Sequence, residues 1–149
     1  MSYKILLVED DRQIREVIED YFSDRSGGEI MLVTAADGEE GMELIQYEEF
    51  DLVMLDVNMP DMSGIDFVRG LQSPPMVIFT TAYSEYAIEG FRLDAVDYLL
   101  KPFSFADFER AVGKAVSLYE LKQLRDAQQV TAESTPAPEG ENNEYISIK

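Results

Sequence analysis

The chain has 149 residues, a length typical of one domain, and carries 30 Asp and Glu residues against only 12 Lys and Arg residues. Its formal net charge of −18 repels nucleic acid and anionic membranes, so the chain as given is a poor candidate for binding DNA itself. It contains neither cysteine nor histidine, which excludes disulfides, thiolate or imidazole metal sites and histidine-based catalysis.

Five short apolar runs alternate along the chain with stretches of helical periodicity. The runs lie at residues 5–8, 30–33, 52–55, 76–79 and 95–100, and their bounded apolar character is typical of strands buried on both faces. Apolar residues spaced by three and four predict helices after Asp10 and Asp11, after Asp37, after Gly64, around Tyr86 to Phe91, and from about Ser104 onward. The alternation predicts an α/β fold: a doubly wound, five-stranded parallel sheet, flavodoxin-like (βα)5, with strand order 2-1-3-4-5.

The composition changes after residue 124. Residues 125–144 are rich in Gln, Glu, Ser, Thr, Pro, Gly and Asn, as expected of a flexible linker. Residues 145–149 alternate apolar and polar side chains, like the start of a strand. We therefore expect a first domain at 1–124, a linker at 125–144 and the start of a further domain at 145–149. The alternative for the last segment is a disordered end.

Polar side chains follow four of the predicted strands, at the edge where ligands bind in open parallel sheets. The predicted strand order brings together Glu9, Asp10, Asp56, Thr81 and Lys101 over one cleft. Clustered carboxylates repel one another unless a cation lies between them, and oxygen-only ligands completed by water suit Mg²⁺. A carboxylate nucleophile, a metal ion and a lysine could together transfer a phosphoryl group to an aspartate.

Each of these signals has a simpler explanation when taken alone. The acidic run Glu9-Asp10-Asp11 could be a favourable helix N-terminus, and Asp56 a loop cap. Thr81 could be a buried hydroxyl with its own hydrogen bond. Lys101 before Pro102 could be only a turn, and the bond between them is a candidate for the cis form. Their joint occurrence at four strand ends, in the right order, favours the phosphoryl-transfer site.

The segments that carry these residues resemble the receiver domains of bacterial two-component response regulators. The similarity covers residues 3–124 and is carried by residues 4–11 (KILLVEDD), 51–64 (DLVMLDVNMPDMSG), 81–82 (TA) and 101–103 (KPF). The resemblance implies that Asp56 accepts a phosphoryl group from a sensor histidine kinase. It further implies that Mg²⁺ is bound by Asp10, Asp56 and the backbone carbonyl of Asn58, with Glu9 binding directly or through water.

The resemblance also implies a two-state switch. Lys101 would pair with the phosphoryl group, while Thr81, followed by the small Ala82, would hydrogen-bond it and move. Tyr98 would then turn inward behind Thr81, and the face of the fourth helix, fifth strand and fifth helix would change. That face could form a symmetric homodimer, although a solvated surface is an equal alternative for its charged residues. These residues are Arg92, Asp94, Asp97, Glu109, Arg110 and Lys114.

Residues 79–91 and 95–102 are more specifically similar to receivers of LytTR-type (LytR/AlgR-like) regulators. Their output is a C-terminal, mainly β DNA-binding domain, and residues 144–149 resemble the first strand of that domain. The expected function is therefore transcriptional control through a domain that the sequence does not contain, with DNA contact only through that domain. We expect a cytoplasmic location without membrane contact.

Three other functions remain as alternatives. An aspartyl-phosphate phosphatase of the haloacid-dehalogenase type usually carries a second Asp two residues after the nucleophile, where this chain has Asn58, which cannot transfer a proton. A flavodoxin-like cofactor module needs a phosphate-binding loop after the first strand, where this chain is acidic. A stand-alone receiver acting through protein contacts does not account for the final segment. We therefore expect a switch that can autodephosphorylate but is not a turnover enzyme.

Overall fold

The computed structural model describes residues 2–25, 29–82 and 95–134. Five strands form one parallel sheet in the order β2-β1-β3-β4-β5, so the predicted fold class and strand order are confirmed. The strands are β1 (Ser2–Val8), β2 (Glu29–Ala35), β3 (Leu52–Asp56), β4 (Met76–Thr81) and β5 (Asp97–Leu100). The described helices are α1 (Arg12–Asp24), α2 (Gly38–Tyr47), α3 (Gly64–Arg69) and α4 (Phe105–Ser134).

Some predictions fall outside the described residues. They are the helix expected around Tyr86 to Phe91, the charged residues Arg92 and Asp94, the end of the expected linker, and the segment 145–149. The contacts of the chain divide it into two units at Val116 and Ser117, and the described part of the second unit is the C-terminal part of α4.

The central strands are apolar because both of their faces are covered. Every residue of β3 is buried, and so are residues 5–8 of β1. On one face, Leu6 and Val8 of β1 share a hydrophobic cluster with Phe67 of α3. α1 buries Ile18 and Phe22, and the Phe22 ring meets the buried Phe108 ring of α4 edge-on at 4.7 Å. The continuous apolar runs of the sequence follow from this double coverage.

Each of the first three helices begins with a side-chain cap close to a strand end. Asp11 accepts hydrogen bonds from the backbone N–H groups of Gln13 and Ile14 at 2.9 and 3.2 Å, which confirms the predicted start of α1. The Asp37 carboxylate caps α2, and the Ser63 hydroxyl caps α3. These caps fix where the chain leaves the sheet, and thereby the loops that hold the polar residues.

The structure differs from the composition-based expectation at the start of the predicted linker. α4 continues to Ser134, so residues 125–134 of the predicted linker are helical. The cause is local composition, because Arg, Gln, Ala and Glu are good helix formers. The domain limits drawn from the sequence otherwise stay a prediction.

Gly64 closes the loop after β3 against the backbone. Its N–H donates to the Val57 carbonyl at 2.8 Å, and a Cβ at position 64 would lie 2.6 Å from the backbone oxygen of Asp56. By contrast, a Cβ at Gly113 of α4 would meet no atom within 4 Å. Glycine is therefore required sterically at position 64. At position 113 it only lowers helix stability through its greater backbone freedom in the unfolded chain.

We predict that Gly64→Ala lowers the free energy of unfolding by about 1–3 kcal/mol, because backbone atoms must shift to admit the methyl group. The control, Gly113→Ala, should raise it by about 0.5–1 kcal/mol through helix propensity. Urea denaturation followed by circular dichroism measures both. Equal stability of wild type and Gly64→Ala would contradict the tight packing at this loop.

Candidate functional site

Three carboxylates and one lysine meet at the carboxyl ends of β1, β3 and β5. Glu9 and Asp10 follow β1, and Asp56 is the last residue of β3. One carboxylate oxygen of each lies within 4.8 Å of the others. Lys101, the first residue after β5, places its Nζ 2.9 Å from Glu9 Oε1 and 3.2 Å from Asp56 Oδ1. The strand order thus brings together four of the residues predicted for the site.

The four charged groups differ in exposure. Glu9 and Asp56 are buried, with 1% and 3% of their surface accessible, and the Lys101 side chain is largely buried as well. Asp10 is exposed and lies at the solvent side of the cluster. A single buried ammonium therefore faces two buried carboxylates, and the third carboxylate leaves the cluster with excess negative charge.

Burial and the neighbouring carboxylates displace the pKa of Asp56. Burial, together with the charge of Glu9 and a hydrogen bond with Asp10, raises the pKa of Asp56 to about 8, although Lys101 acts in the opposite direction. For Lys101, burial alone lowers the pKa, but hydrogen bonds and charges from Glu9 and Asp56 outweigh burial and raise it above 10.5. In the absence of a metal ion, the charged form of Lys101 and the protonated form of Asp56 are thus favoured at neutral pH.

The loop after Asp56 is closed by backbone contacts. The N–H of Val57 donates to the Thr80 carbonyl at 2.9 Å, and the N–H of Asn58 donates to Asp56 Oδ1 at 3.2 Å. Asn58 also forms an antiparallel bridge with Ser63. These contacts hold Asn58 directly beside the carboxylate of Asp56, the position from which a backbone carbonyl could complete a metal site.

Thr81 and Ala82 end the next strand of the sheet. Thr81 is buried, and its carbonyl accepts a hydrogen bond from the Lys101 N–H at 2.7 Å, which ties the end of β4 to the start of the loop after β5. Ala82 and Lys101 line one cleft of about 560 Å³ together with side chains of α1 from Gln13 to Tyr21. The peptide bond between Lys101 and Pro102 is cis.

Tyr98 lies on β5, and its half-buried ring packs against Phe79 with the ring centroids 5.4 Å apart. Further along, the Tyr21 hydroxyl of α1 donates to the Phe103 carbonyl at 3.1 Å. That bond anchors the loop that follows Lys101 to the first helix. The inward movement expected of Tyr98 stays a prediction.

Two side chains that the sequence analysis did not assign also hold the site's loops. Asp61 accepts hydrogen bonds from the N–H groups of Gly38 and Glu39 at 3.1 and 2.8 Å, which joins the loop after β3 to the start of α2. Arg15 donates from Nη1 to the Glu9 carbonyl at 2.8 Å. Both contacts use backbone groups of the partner segment, and residue patterns do not reveal such contacts. The one signal in the sequence was a basic residue, Arg15, in the first turn of α1 and four positions after the acidic run that ends at Asp11.

The donor set fits a hard divalent cation. Its ligand atoms are carboxylate oxygens only, they converge within one coordination sphere, and Asp10 leaves the site open to water. Mg²⁺ favours such a site because it keeps several waters and takes few protein carboxylates. The excess negative charge of the cluster favours a cation by itself.

The comparisons with known proteins agree with this geometry. Residues 5–113 match the model of the response regulator receiver domain family, and the chain belongs to this family. It is therefore a receiver domain of a two-component response regulator, a regulatory module and not a turnover enzyme.

Three relatives show where the similarity lies. The sensory transduction protein LytR of Staphylococcus haemolyticus is 35% identical, over 87% of this chain and 51% of the relative. The positive alginate biosynthesis regulatory protein of Pseudomonas aeruginosa is 36% identical, over 74% of this chain and 46% of the relative. The crystal structure of response regulator protein TrrA from Thermotoga maritima with Mg²⁺-BeF has a TM-score of 0.66 at 30% identity, covering 76% of this chain and 98% of that one.

The expected similarity to LytR-type regulators is thus confirmed, and the chain spans about half the length of the curated relatives it matches. Among the described residues, none of the helices combines the length and the apolar composition needed to cross a membrane.

We predict that the raised pKa of Asp56 destabilises the metal-free domain as the pH rises. Between pH 3.8 and about 8 the folded chain keeps a proton on Asp56 that the unfolded chain has released, so the free energy of unfolding falls across that window. Lys101 has its pKa raised above 10.5, and its contribution is lost only above this window. Asp56→Asn should therefore be more stable than wild type at pH 8, by about 1–4 kcal/mol.

The measurement is urea denaturation in EDTA at pH 5, 6.5 and 8, values chosen at roughly even steps across the window. Asp20→Asn is the control, because Asp20 is exposed on α1 and distant in sequence from the site. The interpretation fails if Asp56→Asn and wild type show the same dependence of stability on pH.

Proposed function

We propose that this domain accepts a phosphoryl group on Asp56 from a sensor histidine kinase and needs Mg²⁺ to do so. One observation carries the proposal: the buried Asp56 carboxylate lies 3.2 Å from Lys101 and within one metal-coordination sphere of Glu9 and Asp10. A nucleophile, a cation site and a fixed ammonium are the components that phosphoryl transfer to an aspartate requires.

The residues divide the chemistry among them. An oxygen of Asp56 forms a bond to phosphorus while the bond from phosphorus to the donor nitrogen of the kinase histidine breaks. Asp10, Asp56 and the Asn58 carbonyl would hold Mg²⁺, with Glu9 directly or through water. Bound there, Mg²⁺ supplies positive charge that offsets the carboxylates and the phosphoryl oxygens. Lys101 offers its ammonium to one of these oxygens.

Support for the metal comes from a similar solved structure. TrrA was crystallised in complex with Mg²⁺-BeF, and its sequence is 30% identical in an alignment that covers 76% of the present chain. We infer that the equivalent state of this chain is reached when Thr81 and Lys101 close on the phosphoryl group at Asp56. Tyr98 then turns inward behind Thr81, and the group is finally lost by autodephosphorylation.

We infer a transcriptional output from the names of the relatives. LytR of Staphylococcus aureus is called a transcriptional regulatory protein, and the relative from Pseudomonas aeruginosa a regulatory protein of alginate biosynthesis. The matched segment covers 46% of each of these two relatives. In our proposal the receiver controls a C-terminal, LytTR-like DNA-binding domain, and DNA is contacted only by that domain. The strongly acidic charge of this chain supports such a division. A receiver that acts alone through protein contacts is the alternative.

The proposed partners are the kinase and a second copy of the chain. A homodimer would use the face predicted from the sequence, formed by the fourth predicted helix, β5 and the fifth predicted helix. The fifth predicted helix is α4 of the structure. Two of its charged residues, Asp97 and Arg110, form an ion pair within the chain at 3.6 Å, and Glu109 pairs with Arg25 at 2.9 Å. A dimer that uses these charges must therefore break the ion pairs within each chain and replace them with ion pairs between the two chains. The pairs within the chain thus compete with dimer formation.

We predict that incubation with acetyl phosphate and Mg²⁺ adds one phosphoryl group to the wild-type chain. The adduct should be absent when EDTA replaces Mg²⁺ and absent in Asp56→Asn, because the nucleophile is lost. Intact-mass spectrometry measures it. Asp66→Asn is the matched control, since Asp66 is an exposed aspartate on the neighbouring helix α3 and should be phosphorylated like wild type.

An adduct that persists in Asp56→Asn would place the acceptor elsewhere and refute the assignment. If the wild-type chain shows no adduct, beryllofluoride binding decides: a saturable Mg²⁺-dependent complex indicates a short-lived phosphate, and no complex refutes the phosphoacceptor function.

A further inference from the structure

Arg15 links the end of β1 to the first turn of α1. Its Nη1 donates to the carbonyl oxygen of Glu9 at 2.8 Å, across six positions of the chain. Its own backbone N–H donates to the Asp11 carbonyl at 2.9 Å, as part of the helix. Arg15 therefore contacts the backbone carbonyls on both sides of Asp10, those of Glu9 and Asp11.

Four contacts hold Glu9 in place. Its N–H donates to the Ala35 carbonyl at 3.1 Å, and its Oε2 accepts from the Asp11 N–H at 3.1 Å. Its Oε1 lies 2.9 Å from Lys101 Nζ, and its carbonyl accepts from Arg15. The first three contacts fix the amide and the side chain of Glu9, whereas Arg15 fixes the peptide plane that leads to Asp10.

The orientation of that peptide plane determines where Asp10 lies. The Glu9 carbonyl belongs to the planar unit that also contains the nitrogen and Cα of Asp10, so a rotation about the Glu9 Cα–C bond moves the carbonyl and displaces the Asp10 Cα and its carboxylate. Asp10 is the exposed member of the acidic cluster, and it has less packing around it than Glu9 or Asp56. A contact on the preceding carbonyl is therefore an effective way to hold its carboxylate in place.

We propose that Arg15 is a positioning residue for the metal site, which keeps the Asp10 carboxylate in register with Asp56 by holding the Glu9 carbonyl. The inference rests on the proposed function, in that the acidic cluster binds Mg²⁺. Groups that orient a metal ligand from outside the coordination sphere commonly change metal affinity by about 10- to 100-fold when removed.

A positioning role and a purely electrostatic role of Arg15 predict opposite changes in Mg²⁺ affinity when Arg15 is replaced. As a positive charge near the acidic cluster, Arg15 opposes the binding of another cation, so loss of that charge alone would tighten Mg²⁺ binding. As a positioning residue, Arg15 favours binding, so its loss weakens Mg²⁺ binding. The direction of the change therefore separates the two roles.

Arg12 provides a matched control. It lies on the same first turn of α1 and has the same charge, but its side chain is 82% exposed and pairs with Glu16 at 3.1 Å on the helix surface. Arg12→Gln removes one positive charge near the site without touching the Glu9 carbonyl. Its Mg²⁺ affinity should equal or slightly exceed that of wild type.

The test is isothermal titration calorimetry, in which the full chain is titrated with Mg²⁺ at one fixed ionic strength. We expect Arg15→Gln to raise the dissociation constant about tenfold, and Arg15→Lys, which keeps the charge and one donor, to fall between wild type and Arg15→Gln. Because Arg15→Lys conserves charge, its weakening has no electrostatic explanation. It also carries the test if Arg15→Gln fails to fold.

A metal-free measurement supports the assignment independently of binding. NMR spectra are recorded in EDTA. In Arg15→Gln, the amide resonances of Asp10 and Asp11 should shift and the amide hydrogen of Asp11 should exchange faster with solvent than in wild type. Arg12→Gln should show neither change. If the two glutamine variants behave alike in titration and in amide exchange, the positioning role is refuted. If wild type itself binds no Mg²⁺, the proposed function fails instead.

Discussion

The shared ion contact of Lys101 with Glu9 and Asp56 is the interaction on which the rest of the site depends. Removing an ion from water costs several kcal/mol, and this domain buries two carboxylates with one ammonium between them at 2.9 and 3.2 Å. The ammonium reduces the repulsion but cannot balance both charges. Burial, reinforced by the charge of Glu9, raises the pKa of Asp56, and the excess negative charge favours a further cation.

The fold maintains this unfavourable charge arrangement because each charged residue extends from a strand that cannot move freely. β3 is buried throughout and pairs with β1 and β4, so Asp56 is fixed at the centre of the sheet opposite Thr80. Loops stabilise the edges: Asp61 joins the loop after β3 to α2, and Tyr21 anchors the loop that follows Lys101. The stability of the hydrophobic sheet is thus what permits the charge cluster at its edge.

The sequence predicts much of this arrangement, because apolar runs report burial directly. It locates the five strands, their order and the four charged residues of the site, although β1 begins at Ser2 and not at Ile5 since backbone pairing extends beyond the apolar run. It misses the helical character of residues 125–134, where composition indicates low burial but not low helicity. It also misses the roles of Asp61 and Arg15, because hydrogen bonds from a side chain to a distant backbone group leave no periodic signal.

The same contacts indicate how phosphorylation of Asp56, as proposed, would alter a surface distant from it. The phosphoryl oxygens, attached to the Asp56 carboxylate, would compete with the Glu9 carboxylate for the ammonium of Lys101, because they carry more negative charge. The backbone of Lys101 is bonded to the Thr81 carbonyl, so a displacement of Lys101 is transmitted to the end of β4. The Phe79 ring of that strand packs against Tyr98 on β5. A change of charge at Asp56 would thus reach Tyr98 of β5 through Lys101, its hydrogen bond to the end of β4, and the ring contact of Phe79.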